Sequence, residues 1–143
     1  MATNYRLINA SPEDVFQVLA DGWLFPSWVV GASRIRGVDA TWPAPEAKLH
    51  HSFGVWPLVI DDTTSLVEWD PPRHVKFQAR GWPIGEAEVT LDIKLRSAGC
   101  IVRMHEDAAK GPGRLVPKPF RDVGLLIRNR EALQRLAWLA EGR

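Results

Sequence analysis

Cysteine is nearly absent from this chain of 143 residues, in which Cys100 stands alone. A lone thiol cannot build a disulfide framework, and its scarcity fits a reducing compartment. Long apolar runs are missing as well: no stretch approaches the ~18 residues of a membrane-spanning helix, and the first residues lack the apolar segment of a signal peptide. We therefore expect a cytoplasmic protein without a membrane partner.

A charge excess of either sign is also missing. The chain carries 18 lysines and arginines against 17 aspartates and glutamates, so its formal net charge is +1. Such a chain has no strong field to attract nucleic acid, and we expect no nucleic-acid partner. Arginines do gather toward the C-terminus, but acidic residues are interspersed with them; the arginines are Arg121, Arg128, Arg130, Arg135 and Arg143. We interpret that segment as a solvated helix face.

Motifs of nucleophilic, metal and phosphate chemistry are absent from the sequence. It has no G-x-S-x-G nucleophile motif and neither C-x-x-C nor H-x-x-x-H ligand spacing. His50 and His51 are adjacent on a predicted strand, so their side chains point to opposite faces and cannot chelate one ion together. Gly111-Pro112-Gly113 lacks the Gly-Lys-Ser/Thr ending of a phosphate loop. We expect neither a metal nor a cofactor.

The sequence does contain a strand, two short helices, six strands and one long helix, in that order. Ser11-Pro12 begins the first helix with a preferred N-cap and a preferred first residue, and a second helix is predicted over Trp23 to Val30. Six strand-like segments follow from Ser33 to Asp107. Phe120 to Glu141 has the period of an amphipathic helix. This order predicts one α+β domain over residues 1–143, whose sheet grips the long helix around an apolar cavity.

The long helix carries two rows of apolar side chains. The main row consists of Leu126, Leu133, Leu136, Ala137 and Ala140 at helical spacing. Asn129 lies within it, an amide where a leucine would pack better. A weaker row lies toward the polar side and consists of Phe120, Val123, Ile127 and Trp138. That outer row predicts either a homodimer interface or a surface covered by a loop.

Strand parity selects the side chains that face the predicted cavity. On the strand Lys48 to Trp56, His51 shares a face with apolar residues and His50 points away. The same rule turns Val67 and Trp69 to one face of their strand, and Glu106 to the inner face of the last strand. The predicted apolar contacts are Phe53, Trp69, Phe77, Met104 and Leu126. The polar residues predicted to orient a ligand are His51, Glu106 and Asn129.

Three segments resemble the START-like, or SRPBCC, superfamily, also called the Bet v 1-like helix-grip fold. They are Ser11-Pro12-Glu13-Asp14-Val15-Phe16 with Trp28 after it, Trp69-Asp70-Pro71-Pro72-Arg73, and Arg128-Asn129-Arg130-Glu131-Ala132-Leu133. With the element order, the resemblance covers nearly the whole chain, and the group it is most similar to is the bacterial polyketide cyclase/dehydrase-like proteins. It implies a seven-stranded antiparallel sheet, in the order β-αα-β6-α, around the C-terminal helix. It implies little about chemistry, because members range from lipid carriers and hormone receptors to aromatases and chaperone cofactors.

Three functions fit these observations. We favour binding of a small hydrophobic or aromatic molecule in the cavity. The second is catalysis there: a cofactor-independent cyclase, dehydratase or isomerase for a polyketide-like carbonyl substrate, with Glu106 as base and His51 as acid or electrostatic partner. The third is an interaction module of the chaperone-cofactor type, which would expose Phe120 and Trp138. Glu106 and His51 also fit a purely structural role, because buried polar groups find partners whatever the function.

Overall fold

The computed structural model describes residues 2–30, 32–55, 58–81, 85–110 and 118–142. For some of these the backbone alone is described, namely residues 2, 32–34, 53–55, 58–60, 81, 85, 108–110 and 118–122. The predicted ligand contact Phe53 and the outer-row residue Phe120 therefore lie outside the described side chains.

The helices at the start of the chain form where the capping residues place them. Ser11 Oγ accepts a hydrogen bond from the backbone N–H of Asp14 at 3.1 Å, which begins helix α1, Pro12–Ala20. A 3-10 turn, Gly22–Leu24, leads directly into the four-residue helix α2, Phe25–Trp28. The observed helix is therefore shorter than the one predicted over Trp23 to Val30, because Val29 already has extended backbone angles.

In the described part of the chain, seven strands form one antiparallel sheet. They are β1 Ala2–Ile8, β2 Ala32–Val38, β3 Lys48–Val55, β4 Leu58–Asp70, β5 His74–Gly81, β6 Gly85–Arg96 and β7 Gly99–Lys110. The sheet order is β1-β7-β6-β5-β4-β3-β2. Strands β2 to β7 form a meander, and β1 pairs with β7 so that Asn4 lies opposite Met104 and Ala2 opposite Glu106. The two edges of the sheet are therefore β1 and β2.

A bulge in β4 changes the predicted facing of one residue. Leu66 pairs with Phe77 and Glu68 with Lys76, so Val67 is an extra residue on its strand. An extra residue turns the following side chains to the other face. As a result Leu66 is buried, Trp69 is partly buried and Val67 is exposed. The prediction that Val67 and Trp69 share the inner face was wrong for Val67.

Helix α3, Lys118–Glu141, packs on β1 and β7 and against α1 and α2. Its buried face begins at Asn129 and consists otherwise of small and apolar residues, namely Ala132, Leu133, Leu136, Ala137 and Ala140. Full burial of one leucine stabilises a fold by roughly 1.5–3 kcal/mol, so this face is a main attachment of the helix to the sheet. The predicted fold class, a seven-stranded antiparallel sheet with a long C-terminal helix, is confirmed.

Among the described residues, no helix is both long enough and apolar enough to span a membrane.

Candidate functional site

The three polar residues predicted to face inward are all buried. His51 is fully buried on β3, Glu106 is 3% exposed on β7, and Asn129 is 1% exposed on α3. His50, which parity turns outward, is partly exposed and has its Nε2 2.9 Å from Asp39 Oδ1. Strand alternation therefore predicted the orientations of His50, His51 and Glu106 correctly, and the helical period predicted that of Asn129. Whether the inward residues bind a ligand or take part in catalysis stays a prediction.

Glu106 is the buried carboxylate of this region. One of its oxygens, Oε2, accepts a hydrogen bond from Nη2 of Arg128, whose side chain is 42% exposed. The other oxygen, Oε1, is buried and has no hydrogen-bond partner among the described residues. Arg128 thus reaches from the surface of α3 to the inner face of β7 and neutralises the charge of Glu106.

Two asparagines lie around the same turn of α3. Asn4, inward on β1, donates from Nδ2 to the backbone carbonyl of Leu126 at 3.0 Å. Its Oδ1 is buried without a hydrogen-bond partner in the described part of the molecule. Asn129 follows Arg128 in the helix, and its Nδ2 is likewise buried and unpartnered among the residues described. Contacts from β1 and from β7 therefore both reach the turn of α3 that spans residues 126–129.

These side chains, together with Arg6 on β1, form what we call the inner polar cluster. It consists of Asn4, Arg6, Glu106, Arg128 and Asn129. Arg6 contributes a buried Nε that has no partner among the described residues. A buried polar group without a hydrogen bond costs about 1–3 kcal/mol. Native proteins keep few such groups, and each one calls for a structural or functional explanation. The inner polar cluster holds both unused acceptors (Asn4 Oδ1, Glu106 Oε1) and unused donors (Arg6 Nε, Asn129 Nδ2).

His51 lies in a different part of the interior. Its Nε2 is 2.7 Å from Thr64 Oγ1, and its ring stacks on Phe25 with a centroid distance of 5.5 Å. Burial lowers the pKa of His51 to about 4, against the opposing effect of Asp62, so the imidazole is neutral at pH 7. Three strands, β4, β5 and β6, separate it from the strand of Glu106. The two residues predicted as a catalytic pair thus have different partners and different surroundings.

An aromatic cluster fills the space next to His51. Phe25 packs on Trp28, Trp28 on Phe77, and Phe77 stacks on Trp42 with a centroid distance of 6.0 Å. Trp42 Nε1 donates to the backbone carbonyl of Leu19 at 3.4 Å. The rings contact one another in the hydrophobic core, so this end of the interior is closely packed.

The remaining predicted ligand contacts differ in exposure. Phe77 and Met104 are buried, and Trp69 is partly buried with its ring edge-to-face on Phe16 at 5.0 Å. Leu126 is 37% exposed, because the fully buried face of α3 begins one turn later, at Asn129. The ligand-binding role assigned to these residues stays a prediction.

An open depression lies on the flank of α3, on the solvent side of Arg128. Its volume is about 610 Å³, and it is lined by Val30, Gly124, Ile127, Arg128, Arg130, Glu131 and Gln134. Arg128 therefore contributes to this depression and to the inner polar cluster at once.

Three residues of the inner polar cluster were not predicted from the sequence, namely Asn4, Arg6 and Arg128. The arginines of α3 were predicted to form a solvated face, and for Arg128 that is only half right, because its guanidinium binds a buried carboxylate. The available signal was the inward parity of Glu106, since a buried carboxylate requires a cationic or hydrogen-bonding partner. Among the described residues, no group of three His, Cys, Asp or Glu side chains is arranged to hold a metal ion.

Comparison with known proteins identifies the family of this chain. Residues 2–141 match the family model described as polyketide cyclase / dehydrase and lipid transport. The chain belongs to that family. The match spans nearly all of the sequence, from β1 to the end of α3. A search of curated proteins gives no match.

Solved structures share the fold of this family member at low sequence identity. Protein CV1439 from Chromobacterium violaceum is 16% identical with a TM-score of 0.76, over 97% of this chain and 96% of that one. The di-domain ARO/CYC StfQ of the steffimycin biosynthetic pathway is 10% identical with a TM-score of 0.75, over 99% of this chain and 50% of StfQ. Ara h 8.0201 is 9% identical with a TM-score of 0.73, over 99% of this chain and 97% of that one. These likenesses confirm the Bet v 1-like fold.

Proposed function

We propose that this protein binds a small hydrophobic or aromatic molecule between the sheet and helix α3, next to the inner polar cluster. The observation that carries the proposal is the set of buried polar atoms on β1, β7 and α3 that have no hydrogen-bond partner among the described residues. Ligand sites are mostly apolar with a few placed polar groups. The surroundings of the cluster fit this description, since Met104, Leu91 and Leu133 are buried apolar residues of the same core.

Family membership supports the same proposal. The family model describes lipid transport beside cyclase and dehydrase activity, and StfQ is named as an ARO/CYC of a biosynthetic pathway. Lipids have long apolar chains, so the lipid-transport part of the family description fits an apolar ligand. In this chain such a molecule would contact Met104 and Phe77 from the sheet, Trp69 from β4 and Leu126 from the helix.

Native mass spectrometry of protein purified from its own host tests this proposal. We expect a retained small molecule as a discrete added mass that disappears on denaturation. A second measurement is saturable uptake of N-phenyl-naphthylamine, a neutral fluorophore that brightens in apolar surroundings. No added mass together with no saturable uptake would overturn the proposal.

Catalysis in the same site is the alternative that Glu106 supports. A carboxylate with one oxygen held by Arg128 and the other without a partner can accept a proton from a bound carbonyl compound. His51, neutral at pH 7 and three strands away from β7, would not serve Glu106 as a cationic acid. Under this alternative Glu106→Gln abolishes turnover of a polyketide-like substrate while binding remains; unchanged turnover would contradict it.

The outer row of α3 supports an interaction function as a further candidate. Val123, Ile127 and Trp138 are each more than half exposed, and Trp138 is 59% exposed. Exposed apolar residues of this size are typical of interfaces when they lie together. We propose a homodimer through this row. Light scattering of the wild type and of Trp138→Glu tests it, because a monomer at all protein concentrations in both would rule it out.

A further inference from the structure

The chemical class of the ligand follows from which polar atoms of the inner polar cluster are already used. Arg128 donates to Glu106 Oε2, so the charges of these two groups compensate each other. What remains on Glu106 is Oε1, a carboxylate oxygen that can only accept a hydrogen bond. What remains on Asn129 is the Nδ2 amide, which can only donate.

Both groups lie near the turn of α3 that spans residues 126–129. The guanidinium that holds Glu106 belongs to Arg128, and Asn129 is the next residue on the helix. Asn4, which lies opposite Met104 on the neighbouring strand β1, donates a hydrogen bond to the Leu126 carbonyl in the same turn. A ligand in contact with this turn therefore meets an acceptor from β7 and a donor from α3.

We infer that Glu106 is the specificity-determining residue of this site, and that it selects neutral apolar molecules carrying a hydroxyl group and rejects those carrying a carboxylate. This inference rests on the proposed function. A ligand hydroxyl donates to Glu106 Oε1, and a ligand carbonyl or ether oxygen accepts from Asn129 Nδ2. A ligand carboxylate would place a second negative charge beside Glu106, whose one cationic contact among the described residues is already made by Arg128.

Access to the buried atoms requires a side-chain movement, and Arg128 is placed to make it. Glu106 Oε1 and Asn129 Nδ2 are closed off from solvent. Arg128 lines the open depression on one side and covers Glu106 on the other. Ligand entry from the depression therefore passes Arg128, and the ligand's hydroxyl reaches the carboxylate beside it.

Three naphthalene derivatives that differ in one substituent at the same ring carbon test the inference. Methylnaphthalene has no hydrogen-bonding group, naphthol has a hydroxyl, and naphthoate has a carboxylate. Each competes against N-phenyl-naphthylamine on the wild-type protein. We expect naphthol to bind at least about tenfold more tightly than methylnaphthalene and naphthoate to bind most weakly, although naphthol is the more water-soluble of the first two.

Glu106→Gln sharpens the test. The amide removes the negative charge and leaves Arg128 without its carboxylate, so we expect the order of naphthol and naphthoate to reverse. Glu88→Gln, on β6 and paired with Lys76 at 3.3 Å, removes an ion-paired carboxylate away from α3; it is the matched control and should leave the wild-type order unchanged. If Glu106→Gln fails to fold in circular dichroism, the wild-type order alone still decides.

The outcomes separate this inference from the proposed function. Saturable binding of the fluorophore with an order that follows hydrophobicity alone, or with naphthoate tightest, overturns the selection by Glu106 while ligand binding stands. Absence of saturable binding for the fluorophore and all three competitors overturns both.

Discussion

Polar clusters lie on both faces of this sheet, and they differ in how completely their groups are paired. On the outer face, His74 Nδ1 is 2.6 Å from Asp92 Oδ1 and its Nε2 is 2.8 Å from Glu68 Oε2. Asp92 also binds Arg103, and Lys76 bridges Glu68 and Glu88. On the inner face, by contrast, the inner polar cluster contains four buried atoms that have no hydrogen-bond partner among the described residues.

The difference indicates what each cluster does. The outer network, which consists of Glu68, His74, Lys76, Glu88, Asp92 and Arg103, is partly solvated, so its ion pairs are screened and each contributes little to stability. Stability alone does not explain an inner cluster that costs about 1–3 kcal/mol for each unpaired group. A binding role explains it, since a ligand would supply the missing partners.

The largest effect is expected from breaking the inner ion pair. Arg128→Met leaves the buried carboxylate of Glu106 without its cation, and we expect the free energy of unfolding to fall by about 3 kcal/mol, the lower end of the range for broken buried pairs. Urea denaturation measures this. Arg135→Met, which breaks the partly exposed pair with Glu131, is the control and should cost about 0.3–0.5 kcal/mol.

A second substitution separates charge burial from packing. In Glu106→Leu combined with Arg128→Met, both charges are removed, and stability should return to near or above the wild-type value because apolar replacements of buried pairs are often neutral or stabilising. Equal stabilities for Arg128→Met and the wild type would show that the Glu106–Arg128 pair contributes no more to the free energy of unfolding than a surface ion pair does.

His51 should make the protein acid-sensitive. Burial lowers its folded-state pKa to about 4, below the unfolded value of 6.5, so the unfolded chain binds the proton first as the pH falls. The free energy of unfolding therefore decreases from pH 6.5 toward pH 4, by up to about 3 kcal/mol at about 1.4 kcal/mol per pKa unit. Urea denaturation across this pH range measures the loss. In His51→Asn the decrease attributable to this group should vanish; an identical pH profile would contradict the assignment.

Asn129→Leu removes a polar group together with its need for a partner. We expect the free energy of unfolding to stay within about 1 kcal/mol of the wild type or to rise slightly, because the unpaired Nδ2 is deleted from a buried position. Thermal or urea unfolding measures it, with Gln17→Leu on the exposed side of α1 as the matched control. Strong destabilisation would identify Asn129 as a structural tie between helix and sheet.

His74, on the outer face of the sheet, should give a pH dependence of stability that is opposite in sign to that of His51 and smaller. The hydrogen bond to Asp92 raises the pKa of His74, against the effect of its partial burial. The folded state therefore holds the proton more tightly, so the stabilisation is complete below pH 6.5 and is lost as the pH rises through the folded-state pKa. We expect less than about 1 kcal/mol for this partly solvated network. The stability difference between wild type and His74→Gln should shrink with rising pH; a difference that grows would contradict this sign.

The fold was largely predictable from the sequence because its determinants are local. Strand alternation in β6, the capped start of α1 at Ser11, and the period of α3 each depend on neighbouring residues, and each element formed where it was predicted. The bulge at Val67 was not predictable in the same way. It depends on the register between β4 and β5, which no single strand encodes.

The site was predictable only in part, for the same reason. Parity identified His51 and Glu106 as inward residues, and the interrupted apolar row of α3 identified Asn129. Strand parity does not predict which inward residues lie close together, because that depends on the order of the strands in the sheet. Strands β3 and β7 are not neighbours. Arg128 was missed because a long side chain can leave the polar face of its helix and reach a buried partner.

The central claim, that an apolar molecule binds against the inner polar cluster, is tested most directly by titrating Prodan, a neutral naphthalene fluorophore whose ketone oxygen can accept a hydrogen bond from Asn129 Nδ2, into three proteins. These are the wild type, Asn129→Leu and the control Gln17→Leu. We predict saturable binding with equal affinity for the wild type and the control, and at least about tenfold weaker binding for Asn129→Leu. Equal affinity in all three proteins, or no saturable binding by the wild type, would contradict the claim.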